Sequence, residues 1–151
     1  MSATKIQIAM RRNNLLRHGD EFIAKLCAAT GIPGDRCRLL GAEESFDLAE
    51  EGAALASNSR THHRAPWSDV DMLLERLSSR AAGTVLIVRL FNSEDFVLEL
   101  KVEDAFEKAR HLLQFDGDLI SVMTSTGTAG LVLDANDDGT VDFSIQGDWN
   151  Q

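Results

Sequence analysis

Apolar residues in this chain recur first at helical and later at strand spacing. Through residues 4–17, Ile6, Ala9, Met10 and Leu16 fall near one helical face, with Lys5, Arg11, Arg12 and Arg17 elsewhere. His18-Gly19-Asp20 interrupts the pattern, and Asp20 can cap a second helix over 21–30. Its Phe22, Ile23, Leu26 and Cys27 recur at i, i+1, i+4 and i+5, and Gly31 and Pro33 mark its stop. A helical hairpin is predicted. From 32 to 66 the signal weakens. Gly34-Asp35 reads as a turn, and 44–56 as an Ala-rich helix anchored by Phe46, Leu48 and Leu55. Residues 57–66, which include the pair His62-His63, read as an exposed linker.

At Trp67 the texture changes. Seven of the nine aromatic residues lie from here onward, which assigns the main core to 67–149. Ser68 to Asp71 has the form of a capping box, and Val70, Leu73, Leu74 and Leu77 follow at helical spacing to a close near Ser79. Thr84–Phe91 is apolar except for Arg89, as a strand covered on both faces is. Asp95–Lys101 alternates Phe96, Leu98 and Leu100 against Val97, Glu99 and Lys101, as a half-exposed strand does. Asn92-Ser-Glu94 would join the two as a hairpin. A helix is predicted over 103–114, with Glu103 and Asp104 at its positive end and Lys108, Arg110 and His111 near its negative end. Asp116-Gly117-Asp118 then turns the chain into Leu119–Thr124, and Leu131–Ile145 forms a second hairpin. This order predicts an α+β fold, a mainly antiparallel sheet of about five strands packed with two helices. Residues 1–64 would be a helical extension, and 65–151 an acidic α+β domain.

Composition adds boundaries. Of the 151 residues, 44% are hydrophobic, enough for a core and too many for a disordered chain. No apolar run approaches the roughly 20 residues of a membrane helix. Met-Ser-Ala-Thr-Lys-Ile-Gln-Ile lacks the apolar region and cleavage site of a signal peptide, so a cytoplasmic location is expected. Cys27 and Cys37 are then expected reduced, as minor core residues. Charge is unevenly distributed. Residues 1–64 hold nine Lys/Arg and eight Asp/Glu, a balance of +1, whereas residues 65–151 hold six and sixteen, a balance of −10. That excess disfavours nucleic acid, whose phosphates demand Lys and Arg, and suits a basic protein partner, a metal cation or simple solubility.

The densest chemistry lies in the second hairpin, whose turn reads D-x-N-x-D-G-x-x-D. Asp134, Asn136, Asp138 and Asp142 occupy positions 1, 3, 5 and 9 of a calcium-loop pattern, with Gly139 at position 6 and the Thr140 carbonyl at position 7. The string resembles the first part of an EF-hand loop, but Ile145 stands where that loop has a bidentate Glu, and Gly127 and Gly130 would break an entering helix. The β-hairpin calcium loop of integrin-type propeller repeats is a closer match, over nine residues and once only. Asp-Gly is also the strongest short hairpin signal, and a solvated turn is the preferred reading.

No catalytic constellation can be assembled. Asp116 and Asp118 flank a glycine as turn residues do, His111 suits a helix end, and Ser121 and Ser125 lack a nucleophile-elbow context. Gly127-Thr-Ala-Gly130 has neither phosphate-loop spacing, and His62-His63 lacks further ligands at zinc spacing. A non-enzyme is expected. Trp149 either closes the core, the preferred reading, or offers a partner an aromatic anchor.

Residues 65–149, with Trp67-Ser-Asp-Val-Asp-Met-Leu-Leu-Glu-Arg-Leu77 running into short acidic strands, resemble the immunity proteins of bacterial polymorphic toxin systems. The resemblance implies a small, cytosolic, catalytically inert protein that binds one cognate toxin. Surface carboxylates such as Asp95, Glu99, Asp137 and Asp138 would make the contacts, with Trp149 as a candidate anchor. Two alternatives stand beside it. One is a calcium-binding module using Asp134, Asn136, Asp138, Thr140 and Asp142; the other is a secretion chaperone, also small and acidic and usually dimeric. The oligomeric state stays open.

Overall fold

The computed structural model describes residues 3–57, 62–93 and 95–150. Among them, five helices surround one sheet: α1 (Ala3–Thr30), α2 (Ala42–Ser57), α3 (Trp67–Arg80), α4 (Val102–Glu107) and α5 (Ala109–Asp116). The strands are β1 (Arg38–Leu39), β2 (His63–Pro66), β3 (Val85–Leu90), β4 (Val97–Lys101), β5 (Leu119–Thr124), β6 (Ala129–Ala135) and β7 (Thr140–Gly147). They form a seven-stranded sheet in the order β1-β4-β3-β5-β6-β7-β2, antiparallel throughout. The expected α+β class and antiparallel sheet are present, with seven strands rather than about five.

The period-two alternation of β3 explains how the layers form. Leu86, Val88 and Leu90 enter the main core, while Ile87 points to the other face and packs with Leu40, Val97 and Leu48 of α2. A strand apolar on both sides is stable here because both sides are covered. Helices α1, α3, α4 and α5 bury Phe22, Leu26, Val70, Leu77, Phe106 and Leu112 in the main core. Helix α2 lies across the opposite face, where Gly52 sits against Arg89 and Met123.

Several expectations are corrected. The predicted helical hairpin is a single helix, α1, running unbroken through His18-Gly19-Asp20. Gly19 is buried, and a Cβ there would stand 3.2 Å from Leu39 Cδ1, so its role is close approach to β1 rather than a break. The face of α1 carrying Ile6, Met10 and Leu16 points outward, with 45%, 68% and 82% of each residue exposed. Phe22, Leu26 and Ile23, on the other side, pack into the core. The predicted helix over 103–114 is two, α4 and α5, separated at Lys108, so Arg110 and His111 begin a helix rather than end one. Helix α3 matches its expected span, but it starts at Trp67 behind Pro66 and no capping side-chain hydrogen bond forms.

Part of the expected linker is strand β2, which pairs with β7 from His63↔Phe143 to Pro66↔Thr140; residues 58–61 lie outside the described residues, as does Glu94 of the first hairpin turn. The division expected at 64/65 falls inside β2. Residues on its N-terminal side supply β1, half of β2, and Phe22, Leu26 and Ile32 of the main core.

Candidate functional site

The acidic hairpin folds as its turn residues dictate. Asn136 N–H donates to the Thr140 carbonyl (2.9 Å) and Gly139 N–H to the Asn136 carbonyl (3.3 Å), with Gly139 at φ +86°. This is a three-residue turn closed by a left-handed glycine. Most of the expected calcium ligands are already engaged. Arg64, opposite Asp142 on β2, donates to its carboxylate from Nε (2.6 Å) and Nη2 (3.1 Å). Asp138 Oδ1 accepts both the Thr140 N–H (3.0 Å) and hydroxyl (2.6 Å). The Thr140 carbonyl accepts Asn136 N–H, and Asn136 Nδ2 donates to Thr140 Oγ1 (3.0 Å). Asp134 is exposed and pairs in register with Asp142. The Arg64 hydrogen bonds hold the Asp142 carboxyl below the usual carboxylate range, and those from Thr140 do the same for Asp138. Among the described residues, no group of three or more His, Cys, Asp or Glu side chains is arranged to hold a metal ion.

The five expected partner contacts do not converge. Asp95 is held by Arg11 Nε (3.4 Å) and Asn14 Nδ2 (2.8 Å), which tie α1 to the start of β4. Glu99 takes a two-pronged hydrogen bond from Arg38 (3.2 and 2.8 Å), which lowers its pKa and joins β1 to β4. Asp137 and Asp138 stand exposed at the tip of the β6–β7 hairpin, with β3 and β5 between that hairpin and β4. Trp149 is buried, with 7% of it exposed, and packs against Phe106 at 5.8 Å between ring centroids. It closes the core and is not a surface anchor.

A different acidic feature escapes the sequence reading. Asp71 and Glu75 of α3, and Glu103 and Glu107 of α4, line a groove of about 440 Å³ floored by Leu74 and Phe106. Arg110 flanks it, paired with Asp71 (3.0 Å) and stacked 4.5 Å over Trp67. A neighbouring groove on α3 carries Asp69, Met72, Glu75 and Arg76. The signal lay in two i, i+4 carboxylate pairs, each on one helical face. That the two helices pack side by side is a tertiary fact no local pattern shows.

The turn carboxylates at 116 and 118 diverge. Asp116 is buried and its Oδ2 accepts the Asn92 N–H (3.0 Å), while its main-chain carbonyl accepts Asn92 Nδ2. Its Oδ1 is buried without a hydrogen bond, and burial pushes the carboxyl above the ordinary aspartate range against the opposing pull of Asn92 and Ser93. Asp118 is exposed with φ +80°, and His111 is exposed on α5. Ser121 is half-buried opposite Arg89 on the α2 side of the sheet. Cys27 and Cys37 are free and half-buried; burial, with Cys27 adding to it, pushes the Cys37 thiol up to about 12. His63 stacks on Phe143 at 5.1 Å within the β2–β7 pair. Among the described residues, no helix is long and apolar enough to cross a membrane.

Comparison with known protein families, curated proteins and solved structures returned no match.

Proposed function

We propose that this protein is a non-enzymatic, acidic binding protein that neutralises a basic protein partner, in the manner of a toxin immunity protein. The observation that carries the reading is the α3–α4 groove, which is lined by four carboxylates, only Asp71 of them paired with a nearby arginine, Arg110, among the described residues. Such a rim attracts Lys and Arg side chains and speeds encounter with a cationic surface. The proposed binding residues are therefore Glu75, Glu103 and Glu107, rather than Asp95 and Glu99, which are paired within the chain as Asp71 is with Arg110.

The test is affinity capture from the native host with the whole chain, read by mass spectrometry. The wild type is expected to recover a basic protein reproducibly, with retention falling as salt rises. A variant carrying Glu75→Gln, Glu103→Gln and Glu107→Gln should lose it while keeping its unfolding free energy within about 1 kcal/mol of wild type, as surface changes do. If nothing co-purifies, or if the triple variant retains the partner fully, the reading fails.

A further inference from the structure

Cys27 and Cys37 are the two cysteines of the chain, and the fold sets them side by side. Cys27 lies in the last turn of α1, and Cys37 directly before β1. The chain between them doubles back through Gly31, at φ +80°, and the single 3-10 turn Gly34–Arg36. Gly34 is the meeting point: a Cβ there would stand 3.9 Å from Cys27 Sγ, and its carbonyl accepts the Cys37 N–H (3.3 Å). The Cys37 thiol has Cys27 as its hydrogen-bonding neighbour. Arg36, paired with the buried Asp104 (3.1 Å), fixes the turn that carries Cys37. Neither thiol is sealed in. Both residues are half-buried, and Cys37 lines a cavity of about 420 Å³ with Arg36, Arg38, Glu99 and Lys101.

A single cysteine in such a place would be a small core residue. A pair in contact can do more, because the second thiol captures the oxidised form of the first. We infer that Cys27 and Cys37 form a redox-sensitive staple, which hydrogen peroxide closes into a disulfide that ties the end of α1 to the start of β1. The Cys27 thiolate attacks one peroxide oxygen and the O–O bond breaks. Cys27 becomes a sulfenic acid, and the released hydroxide takes up a proton as water. The Cys37 sulfur then attacks the sulfenic sulfur; the S–O bond breaks, and the Cys37 proton leaves with the hydroxyl as a second water. Two thiols lose two electrons, and one peroxide gains them. The division of roles follows from burial, which pushes the Cys37 thiol up to about 12, so that Cys37 stays protonated at neutral pH and resolves rather than initiates. In a reducing compartment the two thiols are the resting state. The disulfide closes the short loop over residues 28–36 and pins β1, only two residues long, to its helix. The inference is independent of the acidic groove on α3 and α4.

The test is titration of the full, reduced chain with hydrogen peroxide at low protein concentration. Free thiols should fall from two to none, and dithiothreitol should restore both. After tryptic digestion the peptides holding Cys27 and Cys37 should run as one species, lighter by about 2 Da than their sum, which separates this change from oxidation of Met10 and Met72. The urea midpoint of the oxidised monomer should rise by about 1 M, because the cross-link restricts the unfolded chain. Two variants read the roles. Cys37→Ala should leave a sulfenic acid on Cys27 that dimedone traps, whereas Cys27→Ala should leave Cys37 unoxidised at the same dose. Two thiols that persist in the wild type overturn the inference, as do cysteines that gain oxygen without joining. A disulfide that links only separate chains, or one that lowers the urea midpoint, overturns it as well; these wild-type readings decide the matter even where a variant fails to fold.

Discussion

Replacing Leu26 by Ala tests whether the first third of the chain belongs to the same cooperative unit as the sheet. Leu26 is fully buried in the cluster that also holds Phe22, Ile32 and Leu112. Truncating a leucine in such a site removes its transfer free energy and leaves a cavity, together about 3 kcal/mol within a usual range of 2–5. With a urea m-value of about 2 kcal/mol/M, the midpoint should fall by about 1.5 M. Tryptophan fluorescence is the informative probe, because Trp67 and Trp149 both lie outside α1, one at the start of α3 and one in the turn after β7. Fluorescence and far-UV circular dichroism should shift together in one transition. Leu16→Ala on the outer face of the same helix should move either midpoint by no more than about 0.25 M, or about 0.5 kcal/mol. An unchanged fluorescence midpoint in Leu26→Ala, with helical signal lost separately, would refute the reasoning and return α1 to the status of an extension.

Asp116→Asn should alter how stability depends on pH. The folded pKa of Asp116 is raised, so the folded state holds the proton more tightly and the wild type gains stability from this group as pH falls through that pKa. The amide of the variant does not titrate and cannot make that gain. The stability of the variant relative to wild type should therefore decline between pH 7 and 4; a pH-independent difference in urea midpoints would contradict it. Glu99, Asp138 and Asp142 act in the opposite sense, with lowered pKa values whose stabilisation is lost on acidification, and they do so in both proteins. Gly147→Ala should cost at least about 2 kcal/mol, because its Cβ would stand 2.1 Å from the Thr128 carbonyl at a left-handed φ of +60°. Gly139→Ala, strained at φ +86° but open to solvent, should cost about 1 kcal/mol, and thermal melts compare the two. Calorimetric titration to about 5 mM calcium should show no binding heat, since Arg64 and Thr140 already occupy the Asp142 and Asp138 oxygens; heat abolished by Asp134→Asn would show that the metal displaces them.

What could be read from the sequence tracks how local the cause of each element is. Helix α3 and strands β3 to β7 carry their own periodicity, and each lies close to where its pattern put it. Strands β1 and β2, two and four residues long, have no period to read; they exist because β4 and β7 offer them an edge. Gly19 looked like a break because glycine weakens helices, yet contact with Leu39 outweighs a propensity cost of about 1 kcal/mol. The outward face of α1 is apolar enough to pass for the buried one, and only the packing of Phe22 and Leu26 distinguishes them. At the candidate site the hairpin turn was legible from Asp-Gly alone. Which carboxylates were already paired was not, because Arg38 and Arg64 reach Glu99 and Asp142 across long stretches of chain.

The placing of β1 and β2 at opposite edges also sets an order on folding. Strands β3 to β7 all lie between Val85 and Gly147, whereas Arg38 waits for Glu99 and His63 for Phe143. Chain closure over such separations is slow, and it follows the local pairings. On the ribosome the segments that emerge first are thus the ones whose partners emerge later, and β2 cannot dock until β7 has been made. The first 66 residues then act as a clasp that shuts on both edges of the five-stranded sheet β4-β3-β5-β6-β7, and their short strands leave little edge for another chain to extend.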